Sequence, residues 1–158
     1  KFASRYLTRE FFWDLHPPHG KMLLALAGRL FGLNGTFVFN LGAVYPSASE
    51  TGAYLEWYIG MRIFCALFGA AVVPIAYFTG YELGLSFECC LLFAIVVLFD
   101  GALVQISKLI LLDSMLLFFT ALSLFCLVVF RNQQLQAPFS SQWFFWLFAT
   151  GASLGCVV

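Results

Sequence analysis

Charged side chains are scarce in this chain of 158 residues. Eight Lys and Arg balance eight Asp and Glu, so charged residues make up 10% of the sequence and the formal net charge is zero. A balanced charge excludes the global basic field expected of a nucleic-acid-binding protein. Hydrophobic residues make up 62% of the sequence, well above the share found in soluble domains. The composition therefore predicts a membrane protein.

Motifs of soluble enzymes and of metal sites are also missing. The sequence has no GxGxxG, P-loop, GxSxG or HExxH pattern and no DNA- or RNA-binding signature. Its five cysteines lie in apolar segments without CxxC or Cys/His spacing, which predicts small buried side chains rather than metal ligands. Nothing in the sequence requires a metal ion or a cofactor.

Long apolar runs fill the second part of the chain and predict about four membrane spans. Three are complete, over residues 63–78, 88–106 and 109–130, and a fourth begins at Trp143 and is still apolar at residue 158. Pro74 lies in the first span, where neighbouring helices can satisfy the freed carbonyl. We expect an all-α polytopic membrane protein, of which this chain is an internal fragment. No sustained internal repeat is visible, which weakens a transporter interpretation.

The first part of the chain, residues 1–58, is more polar. It holds nine of the sixteen charged residues before Trp57. An apolar and a polar side at helical spacing predict interfacial helices over residues 1–13 and 20–32, and a polar-aromatic loop over residues 34–56. Asn34-Gly35-Thr36 is a formal N-glycosylation acceptor if it faces the secretory lumen.

The densest polar chemistry lies in residues 11–22, FFWDLHPPHGKM. Its proline pair must end the preceding helix, because proline removes N–H donors and restricts the residue before it. The stretch is a candidate functional loop, and its candidate residues are Asp14, His16, Pro17, Pro18, His19 and Lys21.

Four charges lie in or beside the predicted spans, where a charge costs about 2.5 kcal/mol or more. Alternation of the spans puts them on the side of the N-terminal loop, where they could converge with Lys21 and the two histidines on a lipid phosphate. Equally open are interfacial anchoring, a Lys108–Asp113 pair, snorkelling of Lys21 and Arg29, and histidine hydrogen bonds to free carbonyls. The four residues are Arg62, Asp100, Lys108 and Asp113.

Four strings of the sequence resemble the protein O-mannosyltransferase family of the endoplasmic reticulum. They read KFASRYLTREFFWDLHPPHGKMLLALAG, LNGTFVF, YIGMRIFCALFGAAVVPIAYFTG and KLILLDSMLLFFTALS. The ending FRNQQLQAPFSSQWFFWLFATGASLGC looks most like the second fungal subfamily. The resemblance implies a GT-C type membrane glycosyltransferase with interfacial lumenal helices. Residues 1–58 would be a lumenal loop and residues 59–158 transmembrane spans, although counting cations by the positive-inside rule would make the loop side cytoplasmic.

The resemblance also implies an activity and its participants. Similar enzymes transfer mannose from dolichyl phosphate mannose to Ser or Thr hydroxyls of secretory proteins with inversion, at the lumenal face of the endoplasmic reticulum membrane. A heterodimer with a related subunit is implied as well. The catalytic acidic pair of the family is expected upstream of Lys1, so the fragment alone should be inactive.

Roles for individual residues follow from the resemblance and the charges together. Arg62, in GMRIF, matches the arginine expected to face the donor phosphate, and Lys108 and Lys21 are assigned to assist it. Asp113 is expected to orient a cation. Asp14, His16 and the Pro17-Pro18 corner are expected to support the site.

Two other classes of protein remain open from the residues alone. A transporter would carry charges in its spans, but would be expected to distribute them along a pathway at mid-membrane depth. A noncatalytic scaffold subunit would lack the acidic pair. The residues upstream of Lys1 would separate the scaffold from the enzyme.

Overall fold

A computed structural model describes residues 2–14, 17–37 and 57–157, and these residues form helices joined by short loops, with no strand among them. The all-helical fold predicted from the sequence is confirmed. The helices of the described residues are α1 (Phe2–Thr8), α2 (Pro18–Leu30), α3 (Trp57–Glu82), α4 (Phe87–Leu98), α5 (Gly101–Ser107), α6 (Asp113–Gln136) and α7 (Ser141–Val157).

Among the described helices, α3 with 26 residues and α6 with 24 are each long and apolar enough to cross a membrane. The pair α4 and α5 passes the same test as a single broken span, which raises the number to three. The helix α7 occupies the position of the predicted fourth span, and 17 of its residues are described. At about 1.5 Å per residue it is shorter than the other two.

The predicted span over residues 88–106 corresponds to α4 and α5, which pass the length and composition test for a span only together, as a broken helix. The chain bends by 53° between α4 and α5. At the bend, the Oδ1 atom of Asp100 accepts a hydrogen bond from the backbone N–H of Leu103 at 2.7 Å. An aspartate in this position satisfies an N–H at the start of a helix, so the charged residue begins a new helix within the apolar run.

The broken span lies close against α3. A Cβ atom added at Gly69 of α3 would lie 2.5 Å from the side chain of Ser107 in α5. Only glycine therefore allows the two backbones to approach so closely, as is common where membrane helices pack. The helix α6 packs on α3 from another side, and α7 packs mainly on α6.

The N-terminal helices have other bounds than the sequence predicts: α1 ends five residues before residue 13, and α2 keeps the predicted length of 13 residues but begins two residues before residue 20. The helix α1 ends at Thr8, because Arg9 adopts a left-handed conformation with φ of 58°. The helix α2 already begins at Pro18, since the fixed φ of proline suits the first helical position. It ends at Leu30, where Gly32 has φ of 94° and the N–H of Leu33 donates to the carbonyl of Gly28 at 2.7 Å.

The helix α2 turns its lysine toward the protein. The buried face of α2 contains Lys21 and, one and two turns later, the small residues Ala25 and Gly28. Met22 and Leu26 are exposed on another face. Snorkelling of Lys21 toward headgroups, one of the interpretations left open above, is therefore wrong. The buried face of α2 instead joins α1, α3 and α6 in one core, formed by Ala3, Leu24, Ala25, Ala27, Leu33, Met61, Cys65 and Met115.

Candidate functional site

A buried ion pair joins the loop after α1 to the first turns of α2. The Nζ atom of Lys21 lies 2.5 Å from the Oδ2 atom of Asp14, and the side chains are 3% and 17% exposed respectively. A buried ammonium group is tolerated only if it is paired or neutralised, so Asp14 accounts for the inward position of Lys21.

Two aromatic rings complete the surroundings of this lysine. Its Nζ atom lies 5.3 Å from the ring centroid of Phe2 and 6.0 Å from that of Phe12. Both distances allow an attraction between the cation and the ring, which is stronger where water is excluded. Phe2, Phe12 and Asp14 therefore all contribute to holding the ammonium group in its buried position.

Next to the ion pair lies a cavity of about 330 Å³. It is lined by the start of α2, the loop between α5 and α6, the first turns of α6, the last residues of α7 and Phe2 of α1. Its wall is mostly apolar. Of the residues that the structure describes, His19, Lys21 and Asp113 contribute ionisable nitrogen or oxygen groups to this wall.

The imidazole of His19 bridges two of these elements. It belongs to the first turn of α2, and its ring contacts that of Phe119 in α6 edge to face, with the centroids 5.3 Å apart. His19 is half-buried and lines the cavity together with Asp113, the first residue of α6. Three of the candidate residues from the stretch 11–22, namely Pro17, His19 and Lys21, therefore line the same cavity.

The other residues predicted for the phosphate lie elsewhere. Arg62 is exposed on α3, with its guanidinium carbon 5.8 Å from the ring centroid of Tyr58. Lys108 is exposed directly after α5. Neither residue lines the cavity, and no ion pair joins Lys108 to Asp113 in the described part of the chain. Their roles stay predictions.

Two members of the predicted loop remain to be placed. Pro18 is exposed and begins α2, as a corner residue should. His16 falls outside the described residues.

Asn34 lies apart from the cavity, in the exposed turn after α2. Its Oδ1 atom accepts hydrogen bonds from the N–H of Thr36 at 3.1 Å and from the hydroxyl of Thr36 at 2.7 Å. Both residues are exposed, so the sequon is accessible from the surface of the described structure.

Several lining residues could not be identified from the sequence. Phe119 and Leu112 are ordinary members of apolar runs, and Cys156 lies at the far end of the chain. No spacing or motif marks them, because only the packing of α7 along α6 brings residue 156 to the cavity that residue 19 also lines. The charged residues of the cavity could be found, since a charge in an apolar sequence is conspicuous.

The arrangement suits an amphipathic ligand with an anionic head. A cation, an imidazole and a carboxylate lie at one wall of a space that is otherwise apolar. Binding sites of this kind use a few polar groups to orient a ligand and apolar walls to exclude water from it. The cavity lies at one end of the bundle of apolar helices, at the loop that joins α5 to α6 and at the last residues of α7.

Comparison with known proteins agrees with this architecture. The family described as dolichyl-phosphate-mannose-protein mannosyltransferase matches residues 1–158, the whole chain. Dolichyl-phosphate-mannose--protein mannosyltransferase 3 of Saccharomyces cerevisiae is 48% identical over all 158 residues. Dolichyl-phosphate-mannose--protein mannosyltransferase 2 of Candida albicans is 46% identical over 99% of the chain.

An animal relative matches as well. Protein O-mannosyl-transferase 2 of Danio rerio is 43% identical over 98% of the chain. The chain spans about a fifth of the length of these relatives, namely 20% of both fungal proteins and 19% of the fish protein. Since the family match covers every residue, this chain belongs to the dolichyl-phosphate-mannose-protein mannosyltransferase family.

Proposed function

We propose that this chain is part of a membrane enzyme that transfers mannose from dolichyl phosphate mannose to Ser or Thr hydroxyls of proteins, with inversion at the sugar. The observation that carries the proposal is the family match over all 158 residues. The buried lysine beside a largely apolar cavity supports it, because the donor joins a phosphate to a long apolar chain.

The chemistry requires two kinds of group. An inverting transfer needs a base that accepts the proton of the attacking hydroxyl, and positive charge or hydrogen-bond donors that stabilise the departing phosphate. The proposed base is a carboxylate of the acidic pair expected upstream of Lys1. The proposed phosphate ligands are Arg62, Lys108 and Lys21.

Supporting roles follow from the contacts around Lys21. Asp14 holds the ammonium group at the cavity wall, and the Pro17-Pro18 corner sets the start of α2. Asp113 lines the same cavity and is proposed to orient a cation there. His16 is proposed to support the corner.

We propose a location and partners for the enzyme as well. The enzyme is placed in the endoplasmic reticulum membrane with its active site on the lumenal side, acting on Ser/Thr-containing polypeptides as a heterodimer with a related subunit. On that side, Asn34 would be glycosylated. Asn34→Gln should then remove one increment of apparent mass that peptide-N-glycosidase removes from the wild type, and an unchanged electrophoretic mobility would contradict this assignment.

The test of the function is transfer of radiolabelled mannose from dolichyl phosphate mannose to a Ser/Thr peptide by membranes that contain the full-length protein. Arg62→Ala should lower turnover by about a hundredfold, since removing a group that stabilises developing charge costs about that factor. Arg131→Gln is the matched control, because Arg131 is also an exposed arginine but lies near the other end of α6. Turnover near the wild-type value in Arg62→Ala would refute the role of Arg62, and absence of transfer by the wild type would refute the function.

A further inference from the structure

Asp100 interrupts the apolar run of the broken span formed by α4 and α5. It follows α4, whose 12 residues extend about 18 Å, and it precedes the seven residues of α5. The hydrocarbon core of a bilayer is about 30 Å thick, and α4 and α5 are long enough to cross it only together. Asp100 therefore lies within the span, where a charged side chain needs a partner or contact with water.

The cap of α5 uses only one oxygen of this carboxylate. The Oδ1 atom of Asp100 accepts the hydrogen bond from Leu103, whereas no hydrogen bond or ion pair among the described residues involves Oδ2. Lys108, the nearest basic residue along the chain, forms no ion pair with Asp100 in the described structure. Asp100 is also exposed, so a group from outside the described residues can reach it.

An exposed apolar stripe lies on α4 beside this carboxylate. Its members follow each other at i, i+4 and i+7 and therefore share one face of the helix. They are Leu92, Val96 and Phe99, which are 61%, 61% and 77% exposed. The opposite face of α4 is buried at Cys90 and Ala94, and Cys90 packs near Gly80 of α3. The exposed stripe and Asp100 thus form a second surface, which the described helices leave uncovered.

Lipid alone does not match the chemistry of this surface. Acyl chains can cover the apolar stripe, but they offer nothing to a carboxylate. Charged residues within membrane segments almost always face other helices or a water-filled space, and they pair with other groups. A membrane helix with an apolar face and one basic side chain opposite Asp100 matches both parts of the surface, because ammonium and guanidinium groups are donors only.

The length of the relatives indicates where such a helix is found. The chain spans 20% of both fungal relatives, so about four fifths of a protein of that length lie outside residues 1–158. Helices of the same polypeptide are held near the stripe at a high effective concentration, whereas a separate protein must first associate. This difference favours a helix of the same chain over one of another subunit.

We propose that, in the full-length protein, a membrane helix of the same chain outside residues 1–158 packs on the exposed stripe of α4 and places a Lys or Arg side chain against Asp100. The contact is an interaction surface within the membrane. It goes beyond the proposed function and does not depend on mannose transfer.

The first experiment identifies what covers the stripe. Val96 is replaced by the photo-cross-linking residue p-benzoylphenylalanine in the full-length protein, which is irradiated in its membrane, and cross-linked peptides are identified by mass spectrometry. A second sample carries the same replacement at Phe99. Both should cross-link to one apolar segment of the same chain, outside residues 1–158, that contains Lys or Arg. Cross-links only to lipid, to another polypeptide or within residues 1–158 would overturn the proposal.

The second experiment separates the charge of Asp100 from its cap. Asparagine caps a helix about as well as aspartate, so Asp100→Asn removes the charge and keeps the cap. The thermal midpoint of the full-length protein in detergent should fall by about 5 °C, because the basic side chain of the partner helix loses its counter-ion. A carboxylate that faced lipid would give the opposite sign, since removing its charge would stabilise the span.

Glu88→Gln is the matched control for this change. Glu88 is an exposed carboxylate in the first turn of the same helix, and its replacement should leave the midpoint within about 2 °C of the wild type. A midpoint of Asp100→Asn at or above that of the wild type would show that Asp100 only caps α5, and it would overturn the proposal.

A double variant tests the pairing itself. The basic residue of the cross-linked segment is replaced by Met, alone and together with Asp100→Asn. The double variant should lose less than the sum of the two single losses, because no unpaired charge remains in it. Additive losses would overturn the pairing. Mannose transfer is measured on the same samples, and its absence in the wild type would refute the proposed function while leaving this inference standing.

Discussion

Replacing Asp14 by Asn removes the charge that allows Lys21 to be buried. The ammonium group would stay in a site where its side chain is 3% exposed, beside the rings of Phe2 and Phe12. Breaking a buried pair by removing one partner costs about 3 to 5 kcal/mol. The two rings attract the cation in the wild type and in the variant alike, so their contribution cancels, and we expect a loss of about 3 to 5 kcal/mol in the free energy of unfolding.

Removing the other partner should cost less. Lys21→Met leaves a carboxylate whose side chain is 17% exposed, which water can reach in part. The methionine also keeps most of the apolar length of the lysine side chain against Phe2 and Phe12. We expect a loss of about 1 to 2 kcal/mol, below the range for a fully buried charge.

The double variant tests the reasoning most directly. With both charges gone, no uncompensated charge remains, so the loss in the double variant should be smaller than the sum of the single losses by about 2 kcal/mol. The assay is denaturation of the full-length protein in detergent, followed by an intrinsic fluorescence signal. The reasoning would be refuted if the two single losses added without coupling, or if Lys21→Met were the more damaging change.

Two predictions concern contacts between helices. A Cβ atom at Gly60 would lie 2.2 Å from the ring of Phe31, so Gly60→Ala should destabilise the protein by about 1 to 3 kcal/mol. Gly151→Ala is the control and should cost less, because a Cβ atom at Gly151 meets no atom within 4 Å. Equal thermal stability of the two variants would contradict this prediction. The Nδ2 atom of Asn132 donates to the carbonyl oxygen and to the Oε2 atom of Glu82 at 2.8 and 2.9 Å. Asn132→Leu should therefore cost about 1.5 to 3 kcal/mol in the same denaturation assay, and an unchanged midpoint would show that this contact does not stabilise the protein.

The amino-acid sequence alone was enough to establish the helical membrane fold, the family and the charged residues with a candidate role. Apolar runs of spanning length leave few alternatives to helices, because every backbone group in lipid must be satisfied within the segment. A charge in such a sequence is costly, so Lys21 and Asp113 are conspicuous in the sequence itself.

Packing decided which charges meet. The sequence could not show that Lys21 turns inward, because a helical wheel gives the stripe on which a residue lies but not the surface that the stripe faces. The sequence also could not show the bend at Asp100. There the aspartate side chain accepts a hydrogen bond from the start of α5, which favours a new helix over continuation of α4.

Folding of the whole chain was needed to bring His19 against Phe119 and Cys156 into the same cavity wall. These contacts join residues about a hundred or more positions apart along the chain. They depend on how α2, α6 and α7 pack, which no local pattern encodes. The sequence shows that the stretch FFWDLHPPHGKM is rich in titratable residues. Only the fold shows that Lys21 pairs with Asp14 and that His19 lines a cavity.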